Sequence, residues 1–231
     1  MEPKGPKLAE GRDSVIYEHG PGLVLRVARD GRNLEHEAAV MRWVHDHGVP
    51  SPMAHDAGDG FIVMDRIDGP TMLEAATKPP FRLRVAARQL ARLHEQVHAV
   101  PAPDWLPPAP MDGDRVVHLD LHPLNVILSP SGPVLIDWTN ARRGDPAIDL
   151  ADTWALFATA EAPDLKPFER RALPMLRRLF LHWFLRAVDR ESALRALPAA
   201  CERRFWDGNT TPTEQDALVA LAEWALAEGR S

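Results

Sequence analysis

A chain of 231 residues, 45% of them hydrophobic, carries enough apolar material to bury a core in one or two domains. Its formal charge of -6 works against a surface built for phosphate backbones, so no nucleic-acid partner is expected. Cys201 is the single cysteine, which excludes an internal disulfide framework and fits a reducing compartment.

In chain order, the opening stretch MEPKGPKLAEGRD is charged and has no apolar h-region, so no signal peptide is expected. Ser14–Tyr17 and Leu23–Val27 are short β-rich runs joined across the turn residues His19–Gly22, which predicts a hairpin. Leu34, Ala38, Met41 and His45 then recur at helical spacing, and Gly48 stops that helix before Pro50 and Pro52. Phe61–Ile67 reads as an apolar strand that Asp68-Gly69-Pro70 cannot continue. Beyond it the pattern changes. Ala86, Leu90, Leu93 and Val97 form a helical stripe, and Ala99–Pro110 is a proline-rich loop.

The runs VVHLDLHPLNVIL and PVLIDW follow as strand-like segments around the turn Ser129–Gly132. From about Pro146 to Ser231 the pattern is helical, and its longest apolar run, Leu179–Leu185, is far short of a membrane span. The last helix is announced by Thr211 as N-cap, Pro212 at the first position and Glu214 as the reciprocal capping-box acid. There is no internal repeat. The layout predicts an α+β chain: a small β-rich lobe over residues 1–68 and a larger, mostly helical lobe over 69–231 that carries a β-hairpin. A cytoplasmic protein with no membrane association is expected; its oligomeric state is not legible.

The chemistry concentrates in HLDLHPLN, His118 to Asn125. His118, Asp120 and His122 alternate, and His94 and His98 sit one helical turn apart, so a zinc or iron site for hydrolysis is one reading. Against it, Pro123 blocks a strand and no familiar spacing such as H-E-x-x-H is present. Most histidine pairs at that spacing on an amphipathic helix lie on the border of its apolar face and hold no metal. The other reading is phosphoryl transfer. His118-x-Asp120-x4-Asn125 has the spacing of a kinase catalytic loop, and Asp137 lies beyond a hairpin where a second metal-binding carboxylate is needed. A loose, in-line transition state needs one carboxylate to align the acceptor hydroxyl and others to hold Mg²⁺ against the β- and γ-phosphates.

HLDLHPLNVIL…VLIDWTNARRGDPAIDLA, Val116–Ala151 at its strongest, resembles the aminoglycoside phosphotransferase and choline kinase superfamily, small-molecule kinases with a protein-kinase-like bilobal fold. The resemblance implies Asp120 as catalytic base or hydroxyl-positioning group and Asn125 and Asp137 as magnesium ligands. It implies His118 as organiser of the loop and Asp149 as a brace for its backbone, and leaves His122 to packing. Leu119 stands where a glycine is common, and Trp138-Thr139 follow Asp137 in place of Phe-Gly.

The same resemblance assigns the amino-terminal lobe to ATP. Leu8–Tyr17 is similar to the phosphate-covering hairpin, with Gly11 as its one glycine. Arg26 stands on the third strand where the family usually has lysine, and Glu37, rather than Glu35, is its implied partner. Met64, Asp65 and Ile67 fall on the segment whose backbone would read the adenine edge. The acceptor implied is a hydroxyl of a sugar, amino sugar, alcohol or aminoglycoside-like compound. For a polycation an acidic wall is expected, yet Asp149–Ser231 holds thirteen acids against eleven Lys and Arg, and Glu169–Phe180 is basic. The aromatics Trp154, Phe157, Trp183, Phe184, Phe205 and Trp206 are mostly core by their helical spacing. The alternative to a kinase is a nucleotide-binding pseudokinase or scaffold, motivated by Arg26 and the sparse glycine turn.

Overall fold

The computed structural model describes residues 5–76, 81–161 and 167–229. In chain order they form strands β1 (Lys7–Glu10), β2 (Ser14–Glu18) and β3 (Leu23–Ala28), helix α1 (Glu35–Asp46), and strands β4 (Ala54–Gly58) and β5 (Phe61–Asp65). Helices α2 (Met72–Ala76) and α3 (Phe81–His98) follow, then β6 (Arg115–Val117), a 3-10 turn at Pro123–Asn125, and strands β7 (Val126–Ser129), β8 (Gly132–Leu135) and β9 (Arg142–Gly144). Four helices close the chain: α4 (Pro146–Thr159), α5 (Pro167–Leu185), α6 (Arg190–Phe205) and α7 (Pro212–Glu228). The helical pattern from Pro146 is thus borne out over the described residues, while 162–166 and 230–231 of that stretch lie outside them.

Two compact units result. The first comprises the residues up to Thr71 with Val126–Thr139, and the second Met72–Asn125 with the residues from Asn140. In the first unit an antiparallel sheet runs in the order β1-β2-β3-β5-β4. The hairpin residues His19–Gly22 do join β2 to β3, with Gly20 and Gly22 at positive φ, a region closed to most side chains. β3 and β5 pair directly, Arg26 facing Ile62, so Val24–Val27 and Phe61–Asp65 share one sheet. Leu25, Ile62, Leu34, Ala38 and Val44 form its dry interior.

Helix α1 corrects one detail of the pattern. Leu34, Ala38 and Met41 are buried, but His45 turns outward and Val44 takes the inner place. A step of 3.6 residues per turn reaches position 44.8 from Leu34 after three turns, and the apolar neighbour is the one drawn inward. β4 was not anticipated: Ala-His-Asp-Ala-Gly has little β propensity, and an edge strand with one partner needs little. The hairpin β7–β8 completes this unit through Leu128 N–H to Pro70 O (2.9 Å) and Leu135 N–H to Pro50 O (2.7 Å). After it, the buried Trp138 donates from Nε1 to Ser51 Oγ at 2.9 Å.

The second unit is helical around a short β6–β9 pair. The α3 stripe is buried throughout at Ala86, Leu90, Leu93 and Val97. α4 is buried along most of its length, and α6 packs against both α4 and α7. Trp154 and Phe184 are core, as their spacing implies, whereas Trp206 is 77% exposed. The capping box of α7 forms: Thr211 Oγ1 accepts from Glu214 N–H (3.2 Å) and Glu214 Oε2 accepts from Thr211 N–H (2.8 Å). Among the described residues no helix is long and apolar enough to cross a membrane.

Candidate active site

His118, Asp120 and Asn125 all lie in the second unit. β6 ends at Val117, and the chain then runs without regular structure until the 3-10 turn at Pro123. His118 is fully buried, so its part in the loop is internal. Asp120 is partly open, and Asn125 Nδ2 donates to both its carbonyl oxygen (2.9 Å) and its Oδ2 (3.2 Å). The amide nitrogen of Asn125 is thereby committed, and its oxygen is used in neither bond.

His122 is not simply packing, as had been expected. Its Nε2 lies 3.4 Å from Asp120 Oδ2 and 3.4 Å from Asn125 Nδ2, while its Nδ1 accepts from Leu124 N–H. Pro123 and the 3-10 turn fold the ring back over the loop, a geometry that alternation along a strand does not suggest. Burial works against the charge of Asp120, but hydrogen bonding and attraction from His122, with Arg204 and His118 behind it, hold the carboxyl below its ordinary range.

The loop backbone is strapped from several helices. Asp149 of α4 accepts from the N–H groups of His118 (2.9 Å) and Leu119 (2.7 Å). Its Oδ2 also accepts from His98 Nε2 at 3.0 Å, and His94 Nδ1 lies 3.6 Å away. Thr153 Oγ1 donates to Leu121 O at 2.8 Å, and Arg203 Nη2 donates to Leu119 O at 2.8 Å. Between these bonds Leu119 sits at φ 59°, the left-handed conformation in which a glycine is at ease.

Four residues of this bracing were not found from the sequence. Asp152 and Thr153 follow Asp149 at the third and fourth positions, one helical face, which is a signal that was available. Arg203 and Arg204 of α6 gave none: Arg203 donates through Nε (3.0 Å) and Nη2 to Asp152, and Arg204 Nη1 lies 2.8 Å from the other Asp152 oxygen and 3.7 Å from Asp120 Oδ1.

His94, His98 and Asp149 offer ligand atoms within 4.8 Å of one another, close to the metal cluster first considered. Their chemistry fits a different purpose. Asp149 already receives two backbone N–H groups and an imidazole N–H, so three of its roughly four lone-pair sites are committed to holding the loop. Although the charge is buried, the hydrogen bond from His98 and the neighbouring His94 keep its pKa well below the carboxylate norm.

In the first unit, Arg26 on β3 and Glu37 on α1 are both buried and meet at 2.5 Å through Nη1 and Oε1. Asp137, beyond β8, places Oδ1 3.9 Å from Arg26 Nη2. Burial disfavours the guanidinium charge, but the carboxylates of Glu37 and Asp137 outweigh it and raise Arg26 above its ordinary value. Thr139 Oγ1 stands 2.9 Å from Glu37 Oε2 and 3.0 Å from Asp137 Oδ1, and its one proton serves one of them at a time. Asp137 has φ 64°, a conformation aspartate tolerates better than most side chains.

Gly11 forms the β1–β2 turn, its N–H donating to Ser14 O at 2.9 Å. Met64 pairs with Val24 and Ala54 inside the sheet. Asp65 is held by β4 and its approach, accepting from Met53 N–H (3.0 Å) with His55 Nε2 at 2.7 Å from its other oxygen. Arg66 N–H donates to Gly22 O, and Ile67 follows as the strand ends.

Oxygen donors of this kind suit Mg²⁺, a hard cation. Among the described residues the Asn125 amide oxygen, in the second unit, and the Asp137 carboxylate, in the first and 45% exposed, are each a donor of that kind.

The fold has close parallels among solved structures. A thermostable mutant of aminoglycoside phosphotransferase APH(4)-Ia, in ternary complex with AMP-PNP and hygromycin B, superposes with a TM-score of 0.53 at 16% identity over 97% of this chain and 91% of that one. The GDP and kanamycin complex of APH(2")-IIia gives 0.59 at 14% identity over 99% and 95%. An aminoglycoside-3'-phosphotransferase of type VIII gives 0.53 at 21% identity over 96% and 94%. No curated protein matches the sequence. A family model described as the phosphotransferase enzyme family, APH, matches residues 6–115 and 104–184. That match spans well over half of the chain, which therefore belongs to the phosphotransferase enzyme family as a small-molecule phosphotransferase of the kinase class.

Proposed function

We propose that the protein transfers the γ-phosphoryl group of ATP, presented with Mg²⁺, to a hydroxyl of a small molecule, with Asp120 acting on that hydroxyl. The observation that carries the reading is the Asp120 carboxylate: ionised, partly open, and aimed by Asn125 and His122 within a loop whose backbone is fixed at four points. Phosphoryl transfer through a loose transition state asks the protein mainly for position and charge, and little for strong proton abstraction. A carboxyl held below its usual range suits that demand. It aligns the hydroxyl and accepts the proton once the bond to phosphorus is forming.

In this reading Arg26, fixed by Glu37, contacts the nucleotide phosphates in place of lysine. Gly11 lets the β1–β2 turn approach them, and the backbone at Met64, Asp65 and Ile67 receives the base. His118 is a positioning residue. Asn125 and Asp137 hold Mg²⁺, which neutralises the charge on the β- and γ-phosphate oxygens. Structural relatives solved with AMP-PNP, ATP or GDP support a purine nucleotide as donor.

Calorimetric titration of Mg·ATP tests the division of labour. Asp137→Asn should weaken binding and turnover together. Asp120→Asn should spare binding and lower turnover by about 10²–10⁴-fold, the usual contribution of a positioned acid–base group. Arg26→Ala and Glu37→Ala should each weaken nucleotide binding. Binding that survives with no turnover on any hydroxyl compound would instead assign the chain as a pseudokinase. Full activity in Asp137→Asn, with binding lost in Asp120→Asn, would overturn the roles.

A further inference from the structure

The ground beside the catalytic loop has a definite charge. A cavity of about 370 Å³ is lined by Pro108, Pro110, Leu119, Asn140, Arg142 and Arg203. That volume suits a small organic molecule. Its lining residues include two guanidinium groups and no carboxylate. The two arginines are not equally occupied. Arg203 is committed to Asp152 and to Leu119 O. Arg142, on β9 opposite Val117, donates to the carbonyl of its own neighbour Ala141 at 2.8 Å, and no carboxylate pairs with it among the described residues.

Burial and the nearby Arg203 together hold Arg142 below its ordinary pKa, so a negative group beside it would relieve an unfavourable charge. Arg204, next to Arg203 on α6 but outside this lining, lies 3.7 Å from Asp120 Oδ1. Asp152, which partly balances Arg203 and Arg204, is fully buried and spent on them. A polycationic acceptor entering here would meet repulsion, whereas an anion would be both steered and held.

We infer that the acceptor is a small hydroxylated anion, a compound carrying a carboxylate or phosphate group that Arg142 holds in this cavity while its hydroxyl is presented to Asp120. The inference rests on the proposed function. In the step itself the acceptor oxygen forms a bond to the γ-phosphorus as the bond from that phosphorus to the β,γ-bridging oxygen breaks. The electron pair leaves on ADP, and the hydroxyl proton passes to Asp120.

Two measurements test it. In the first, inorganic phosphate is titrated into the protein at low salt with saturating ADP present, for the wild type, Arg142→Gln and Arg142→Lys. Phosphate should bind the wild type, weaken by about tenfold or more in Arg142→Gln, and recover in part in Arg142→Lys, as expected for loss of a charge-assisted bond. No binding, or binding indifferent to Arg142→Gln, overturns the inference. The second follows ATP consumption with matched acceptors: gluconate and glucose 6-phosphate against glucose, glucosamine and kanamycin. Anionic acceptors should be preferred, and Arg142→Gln should raise their KM with little change in kcat. Preference for the neutral or cationic compounds overturns the inference and leaves the transfer reading intact. Phosphate bound through Arg142, with no transfer to any class, would sink the transfer reading and leave the anion site standing.

Discussion

At the scale of single residues, the chain buries an arginine on β3 and builds around it. A buried guanidinium needs its charge matched, and Glu37 supplies that at 2.5 Å with Thr139 supporting the second carboxylate oxygen. Removing one partner strands the other. Arg26→Met should cost about 3–5 kcal/mol in chemical denaturation, and adding Glu37→Leu should recover most of it, because the pair offsets its own desolvation. A double variant no more stable than Arg26→Met would show that the pair is not the seat of the loss. Asp120 makes a separate prediction. Its carboxyl lies below the ordinary value of 3.8, so the charged form persists as the medium is acidified and is lost only as pH falls through that lowered pKa. Turnover corrected for the folded fraction should therefore stay level from pH 7 to pH 5. An acid limb in that window surviving the correction would place another group in the rate-determining step.

At the scale of elements, the catalytic loop has almost no regular hydrogen bonding of its own and borrows its shape from α4 and α6. Leu119 at φ 59° shows the consequence: a left-handed leucine costs about 1–2 kcal/mol, offset here by Asp149 on its N–H and Arg203 on its carbonyl. Asp149→Asn turns one acceptor oxygen into a donor facing N–H groups. Stability should drop on the order of 3 kcal/mol from the unsatisfied buried groups, and kcat should fall with it although Asp149 touches no substrate. Thr211→Ala, at the N-cap of α7, provides the contrast: about 1 kcal/mol of stability lost and turnover unchanged. If both variants lost turnover alike, the effect would be global softening and not the shape of the loop. The same contrast explains what could be read from sequence. The α7 cap and the His118–Asp120–Asn125 spacing are local, and local patterns are visible along a chain. Arg203 reaches Leu119 across 84 residues, and an arginine on an amphipathic helix looks like any solvated charge until the helix is docked. β4 and β9 were hidden for a similar reason, since Ala54–Gly58 and Arg142–Gly144 become strands through their partners and not through their own composition.

At the scale of the whole molecule, the groups that brace the loop also tie stability to pH. Thr153 gives its hydroxyl proton to Leu121 O, so its oxygen can only accept from His94 Nε2, 3.1 Å away. That fixes the proton of the neutral ring on Nε2 and leaves Nδ1 bare. Burial of His94 outweighs the pull of Asp149 and lowers its pKa below 6.5. A histidine with a depressed folded pKa takes up its proton more readily in the unfolded chain, so acidification favours unfolding. The loss begins as pH falls through about 6.5 and continues until the folded-state pKa is reached, with a slope of up to about 1.4 kcal/mol per pH unit for the one proton. Asp149 acts in a lower window: its contribution is complete above 3.8 and is lost only as pH falls through its much lower folded value. Asp152, raised by its burial although Arg203 and Arg204 oppose that, has the opposite sign and works on the alkaline side of 3.8. Between pH 6.5 and 5 His94 should therefore dominate among these groups. Denaturant unfolding measured at half-unit steps should show stability falling across that interval in the wild type and a visibly flatter curve in His94→Gln, whatever the variant's absolute stability. Parallel slopes in the two proteins would move the acid sensitivity to another histidine. A slope of the opposite sign in the wild type would mean that His94 is charged in the folded state, with Asp149 winning over burial.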